Sequence, residues 1–417
     1  MELKRVVVTG LGTINPLGNT IPEYWESLAN GVSGCEMITR FDTSKFKTKF
    51  ACEVKNYDPG TYFDRKEARK LDKYSQFALV AADEAFKDSK IELDKINLDR
   101  AGVIWASGIG GIDTFLEEVR GYVQGDGTPR FSPFFIPKMI ADIAAGHISI
   151  KYGFRGPNYC TVSACASSTH AMINAFDNIR LGKADLMVTG GSESAINEAG
   201  VGGFNAMQAL STNNENYKTA SRPFCATRDG FVMGEGSGAL IVEEHNHAIA
   251  RGAKIYAEII GSGMTADAHH LTAPHPEGIG ARNVMSNAIK EAGVDPSVID
   301  YVNVHGTATP LGDIAETKAI MEVFGEHAFK LNISSTKSMT GHLLGAAGVV
   351  EAIACIFAIN KSVIPPTINL QQQDEHIDSR LNLTFHKAQN REVNYAISNT
   401  FGFGGHNASI LMKKFVK

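Results

Sequence analysis

The chain has 417 residues, 43% of them hydrophobic and 20% charged, with 41 glycines. That balance describes a globular protein with a large core. It excludes disordered and collagen-like chains, because the glycines fall in short clusters without a repeat. A total of 40 Lys and Arg against 45 Asp and Glu gives a net charge of −5, which argues against general nucleic-acid binding.

At the start, MELKRVVVTGLG carries only three consecutive valines before glycine, too few for a signal-peptide core. Gly10 and Gly12 follow this run, but Asn15 stands where a dinucleotide fingerprint needs its third glycine. Gly261 and Gly263 form a similar pair, with Pro274 and Pro276 downstream and no helix start to receive a pyrophosphate. Strand-end turns are the expected reading of both pairs. Six cysteines form no CxxC and no framework, as in a reducing cytoplasm with free thiols.

Strand-like runs recur along the chain: KRVVVTG, AGVIWASG, LMVTGG, GALIVEE, IYAEIIG, YVNVHG and YAISNTFG. Near-continuous apolar runs ending in small residues suit strands buried on both faces by helices. Helical spacing covers 74–87, 168–181, 281–292 and 345–359, so the fold class is α/β. The apolar stretch 343–359 contains Glu351 and falls short of a membrane span. Signals before residue 255 repeat in similar order after it, which predicts two related halves, 1–255 and 256–417. A segment at about 110–140 has no counterpart and is expected to be an inserted cap.

Cys165, in CTVSACASSTH, sits where a strand gives way to a helix. The positive end of a helix dipole there is expected to lower its pKa and supply a nucleophilic thiolate. His305 ends the strand YVNV, and His342 precedes the apolar helix. Loops at such strand ends carry function, so one cysteine and two histidines could share a cleft. Glu351 within an apolar helix calls for a partner. Lys337 is the nearest basic residue upstream, and an ion pair positioning His342 stands beside an outward-facing helix surface as the two readings. In NTFGFGGHN, residues 399–407, alternating Phe and Gly exposes backbone amides that, with the amide of Cys165, could form an oxyanion hole. Asp267, His269, His270 and His275 match no zinc spacing and read as a surface or pocket-lining loop. No metal site is expected.

Five ordered motifs then resemble the β-ketoacyl-acyl carrier protein synthases over essentially the whole chain. They are the run from Cys165, GFVMGEGSG at 230–238, HGTATP at 305–310, Lys337 with Gly341-His342, and FGFGG at 401–405. The resemblance implies a thiolase-like fold of two duplicated halves in a five-layer αβαβα body, and a homodimer. It implies decarboxylative condensation of malonyl-carrier with an acyl chain held on Cys165, giving a 3-oxoacyl-carrier and CO2 in fatty acid elongation. On that basis His305 and His342 would bind the malonyl thioester oxygen, Phe403 and Cys165 amides would bind the oxyanion, and Lys337 and Glu351 would support His342. Thr307, Thr309 and Thr272 would contact substrate, and Phe401, Phe403 and Ile109 would line and gate the acyl pocket. Lys66, Arg69 and Lys70 fall where the family receives its acidic carrier protein; a solvated helix face is the other reading. The substrates travel on the carrier's phosphopantetheine, so no cofactor, nucleic acid or membrane insertion is implied. His406 stands where some members carry threonine. A thiolase would want a second catalytic cysteine near 403–405, and an initiating synthase usually has asparagine at position 342. An inactive chain-length partner would lack Cys165, and a carrier-binding scaffold would leave Cys165 and both histidines idle.

Overall fold

The computed structural model describes residues 3–416. Ten strands form one continuous sheet: β1 (Val6–Ile14), β2 (Ala101–Ala106), β3 (Asn158–Thr161), β4 (Leu186–Glu193), β5 (Gly236–Glu244), β6 (Ala257–Ala266), β7 (Tyr301–Asn303), β8 (Asn332–Ser334), β9 (Tyr395–Gly402) and β10 (His406–Lys413). Their spatial order is 8-7-9-10-6-1-5-4-2-3. Read outward from the centre, the order 1-5-4-2-3 becomes 6-10-9-7-8, the same pattern with five added to each strand. Pairing directions match as well. β2 runs parallel to β3 and β4, as β7 does to β8 and β9, while β5 and β10 run antiparallel to their neighbours. The two halves join edge to edge where Val6, Val7 and Val8 pair with Ile259, Glu258 and Ala257.

Helices cover both faces. α1 (Lys73–Ser89) lies on β1 and β5, and α3 (Ile279–Ala292) lies on β6 and β10. Between the two half-sheets run α2 (Ser167–Arg180) and α4 (Ala347–Lys361), which touch each other and strands of both halves. The result is five layers, αβαβα. The helical stretch Leu344–Lys361, which joins a tight turn to α4, is long and apolar enough to cross a bilayer, but most of it is buried in the middle of the molecule. Its apolarity on every side comes from being surrounded by protein.

The glycine pairs have a different origin from the one expected. Gly10, Gly12, Gly261 and Gly263 lie inside β1 and β6, away from the strand ends. A Cβ at Gly12 would meet the Ala81 carbonyl oxygen of α1 at 2.0 Å, and one at Gly263 would meet the Val284 carbonyl oxygen of α3 at 2.0 Å. Each pair lets an outer helix sit directly on the strand backbone, and the same device serves both halves. The segment at 110–140 forms the helices Ile112–Gln124 and Phe135–Met139, inserted between β2 and β3. The corresponding connection between β7 and β8 runs through the helix Pro310–Phe324.

Candidate active site

The nucleophile candidate sits on a strained turn. Ala164 adopts φ +50°, and Cys165 follows it in a single tight turn, Ala164–Ala166, before α2 begins. A non-glycine residue in this region costs about 1–2 kcal/mol and persists only where the surroundings impose it. The second half repeats the device: Leu344 adopts φ +50° in the turn Leu344–Ala346, immediately before α4. His342 lies just ahead of that turn, and its backbone is fixed by N–H donation to the Val232 carbonyl at 2.7 Å. His305 lies two residues beyond β7, and Glu316 accepts from the amides of His305 and Gly306, each at 2.9 Å.

These turns bring the three side chains together. His342 Nε2 is 2.9 Å from Cys165 Sγ, and a ring nitrogen of each histidine and the sulfur all lie within 4.8 Å of one another. The two imidazoles stand perpendicular with centroids 5.3 Å apart, and the rings of Phe231 and Phe401 pack against His342 and His305. The Phe403 backbone amide lies close enough to the Cys165 sulfur to favour its anion, and both residues line the same cavity. Burial holds both imidazoles well below the usual histidine pKa, and the nearby Lys337 charge pushes the same way. Both rings are therefore neutral at pH 7.

The thiolate expectation is corrected here. Burial pushes the Cys165 thiol up to about 12, outweighing the Lys337 charge and the Phe403 amide, which both pull it down. Cys165 is only 8% exposed, and desolvation penalises an anion there more than one helix end can repay. The resting pair is a thiol beside a neutral imidazole, with His342 Nε2 in hydrogen-bond reach of the sulfur. Alkylation of Cys165 by iodoacetamide should accordingly rise about tenfold per pH unit from pH 7 to 9, tracking the thiolate fraction. A rate that levels off below pH 8 would show a thiolate already formed.

Lys337 and Glu351 are both buried, and Lys337 Nζ donates to Glu351 Oε1. Glu351 therefore does not face outward, and its ion pair is the one anticipated. Lys337 reaches the histidines through its field, since its hydrogen bond goes to the carboxylate. Its position is tied to His342 through the short helix Lys337–Thr340, whose last turn ends at Gly341.

A cavity of about 460 Å3 opens over this centre, within the usual range for small-molecule sites. Cys165, His305, His342, Ile109, Thr272, Thr307, Thr309, Phe401 and Phe403 all line it. Thr307 and Thr309 hydroxyls face each other at 3.1 Å. The Asp267–His275 loop forms one wall: its Asp267 N–H donates to the Gly405 carbonyl and its Leu271 carbonyl accepts from Gly404. It is a pocket-lining loop. Lys66, Arg69 and Lys70 do not line the cavity; they are exposed on and after the helix Arg65–Ala68.

Family models match the described site and fold together: "Beta-ketoacyl synthase, N-terminal domain" over residues 3–248 and "Beta-ketoacyl synthase, C-terminal domain" over 256–371. The chain belongs to the β-ketoacyl synthase family. It is thereby an acyl-transferring condensing enzyme. Among curated relatives, this synthase is 48% identical over 412 residues to 3-oxoacyl-[acyl-carrier-protein] synthase 2 of Staphylococcus aureus, covering 99% of both chains. It is 47% identical over 417 residues to the protein of the same name from Synechocystis, covering 100% of this chain and 99% of the relative. Among solved structures, a β-ketoacyl synthase from Burkholderia phymatum superposes with a TM-score of 0.92 at 33% identity, over 99% of this chain and all of that one. A polyketide ketosynthase solved in complex with its acyl-carrier protein superposes at 0.91 and 33% identity, over the whole of both chains.

The sequence reading missed several residues of this synthase. Glu193 and Glu316 hold the site loops, and Phe231 packs on His342. Glu193 was visible as the one charged residue of the run LMVTGGSE, a signal related to the one that singled out Glu351. Glu316 could have been found from Asp313, Glu316 and Thr317, polar residues on one buried stretch of helix.

Proposed function

We propose that the chain elongates acyl chains on acyl carrier protein, with Cys165 as the acyl acceptor and His305 and His342 as the malonyl-activating pair. In the first half-reaction the Cys165 sulfur attacks the acyl thioester while its proton passes by way of His342 Nε2 to the departing pantetheine sulfur. The acyl group is then a thioester of Cys165 and the carrier leaves as a thiol. In the second, malonyl-carrier loses CO2 and the electron pair of the broken bond becomes an enolate. A neutral imidazole with its proton on the ring nitrogen facing the cavity can donate to the enolate oxygen; for His342 this is the Nε2–H tautomer, reached by proton exchange after acylation, and each such donor is typically worth about 3 kcal/mol in a dry site. The carbanion attacks the acyl carbonyl, whose oxyanion is held by the amides of Cys165 and Phe403. Collapse expels the Cys165 sulfur, which takes up one proton. The observation that carries this reading is the approach of His342 and His305 to one sulfur at the floor of a single cavity.

Thr307, Thr309 and Thr272 line the route by which a pantetheine arm would enter. Ile109, Phe401 and Phe403 wall the space beside the sulfur that an acyl chain would fill. No metal or organic cofactor takes part in this scheme, and the Lys337 charge close behind both imidazoles disfavours a divalent cation among them. Six unpaired cysteines suit a reducing cytoplasm. A homodimer is proposed through β3, which ends the sheet as an edge strand with Tyr159 and the neighbouring Val162 exposed. Such an edge calls for a pairing partner, and sedimentation at twice the chain mass of 44.9 kDa is the expected result.

The carrier, an acidic protein, is proposed to dock on Lys66, Arg69 and Lys70. Reversing all three to glutamate should raise the KM for carrier substrates about tenfold at low salt while leaving kcat within about twofold. The difference should shrink as ionic strength rises. An unchanged KM would leave the helix as a solvated face.

A further inference from the structure

Glu193 ends β4 in complete burial and accepts four hydrogen bonds that converge from both halves of the molecule. Its Oε1 accepts from Ser107 Oγ at 3.0 Å and from the Ile109 amide at 3.1 Å. Its Oε2 accepts from the amides of Gly108 at 2.8 Å and Gly345 at 3.0 Å. Three of the four partners are backbone amides, which can only donate, and the fourth is the Ser107 hydroxyl, which can donate or accept. One edge of the carboxylate thus fixes Ile109 against the cavity. The other edge reaches the turn that follows His342.

We propose that Glu193 is a positioning residue that sets the acyl-pocket wall at Ile109 and the His342 turn relative to each other. This inference rests on the reading that Cys165 carries the acyl chain and Ile109 walls its pocket. The geometry leaves no slack for another arrangement. A Cβ on Gly345 would meet the Gly108 nitrogen at 2.3 Å and Glu193 Oε2 at 2.7 Å, so the two loops touch across the carboxylate.

The test exploits the asymmetry of the two edges. In Glu193→Gln the side-chain NH2 must replace one oxygen. On the Oε2 side it would face two amide donors. On the Oε1 side it can donate to Ser107 Oγ, a hydroxyl able to accept. The amide therefore takes the Oε1 side, keeps Gly108 and Gly345 bonded, and leaves the Ile109 N–H unpaired. Acylation of Cys165 is measured with butyryl-carrier and decanoyl-carrier, and CO2 release is measured separately with malonyl-carrier.

For Glu193→Gln the expected result is a fall of at least about tenfold in kcat/KM for decanoyl-carrier relative to butyryl-carrier, with CO2 release lowered less than about threefold. Glu193→Ala loses both half-reactions. Ser107→Ala, which removes one Oε1 partner and the acceptor of the Gly110 amide, shifts chain-length preference the same way by a smaller factor and serves if the Glu193 variants do not fold. Equal losses for both chain lengths and for CO2 release, or unchanged selectivity in all folded variants, would overturn the proposal. Failure of the unaltered protein to be labelled by butyryl-carrier at Cys165 would instead overturn the underlying reading.

Discussion

Cys165→Ala should give a folded protein that takes up no acyl group from an acyl-carrier donor. Loss of a covalent nucleophile in other enzymes costs on the order of 10^6 in kcat, and no other thiol in this cavity can substitute. Of the remaining cysteines, Cys35, Cys52, Cys225 and Cys355 are buried elsewhere and Cys160 lies on β3, outside the cavity lining. The fold should survive, because the change removes one sulfur atom from a site that is already open to the cavity. A shift of less than about 1 kcal/mol in unfolding free energy is expected, the cost of one modest hydrogen bond. Both imidazoles remain in place, so the variant should still release CO2 from malonyl-carrier. Acyl labelling of this variant at the rate of the unaltered protein would remove Cys165 from its role.

The histidines should separate by half-reaction. His342→Ala and His305→Ala each remove a donor to the developing enolate, and each should lower CO2 release from malonyl-carrier by about 10^2–10^3. Acylation of Cys165 should tell them apart. Only His342 Nε2 is at 2.9 Å from the sulfur, so His342→Ala should slow acylation about tenfold or more near pH 7 as a lost general base. That deficit should narrow as pH rises, because more of the thiol ionises without help. His305→Ala should leave acylation within about threefold. Equal effects of the two substitutions on acylation would remove the proton-acceptor role from His342.

Much of this centre was legible in the residues before any coordinates. Strand endings, small residues and helical spacing marked the turns at Cys165, His305 and His342, and the repeated order of apolar runs matches the repeated strand order. Glu351 declared its need for a partner because an apolar helix makes a lone carboxylate conspicuous. What could not be read depends on distance. Ala164 and Leu344 carry no mark of left-handed backbone, since only the packing around them imposes it. The sulfur's pKa was misjudged because the helix end is visible in a sequence and the depth of burial is not. Gly10 and Gly12 read as turn residues in the sequence because the helix pressing on them begins some sixty residues later.

The duplicated body contains two copies of the same strained elbow, yet only one of them bears a thiol. Aligning the turn Ala164–Ala166 with Leu344–Ala346 sets Cys165 opposite Gly345. At Gly345 no side chain of any kind fits, because the loop from the other half already fills the space. The internal symmetry is thus broken by sterics at a single atom. On the proposed mechanism one half holds the electrophile and the other presents both histidines, so neither repeat would catalyse the full reaction alone.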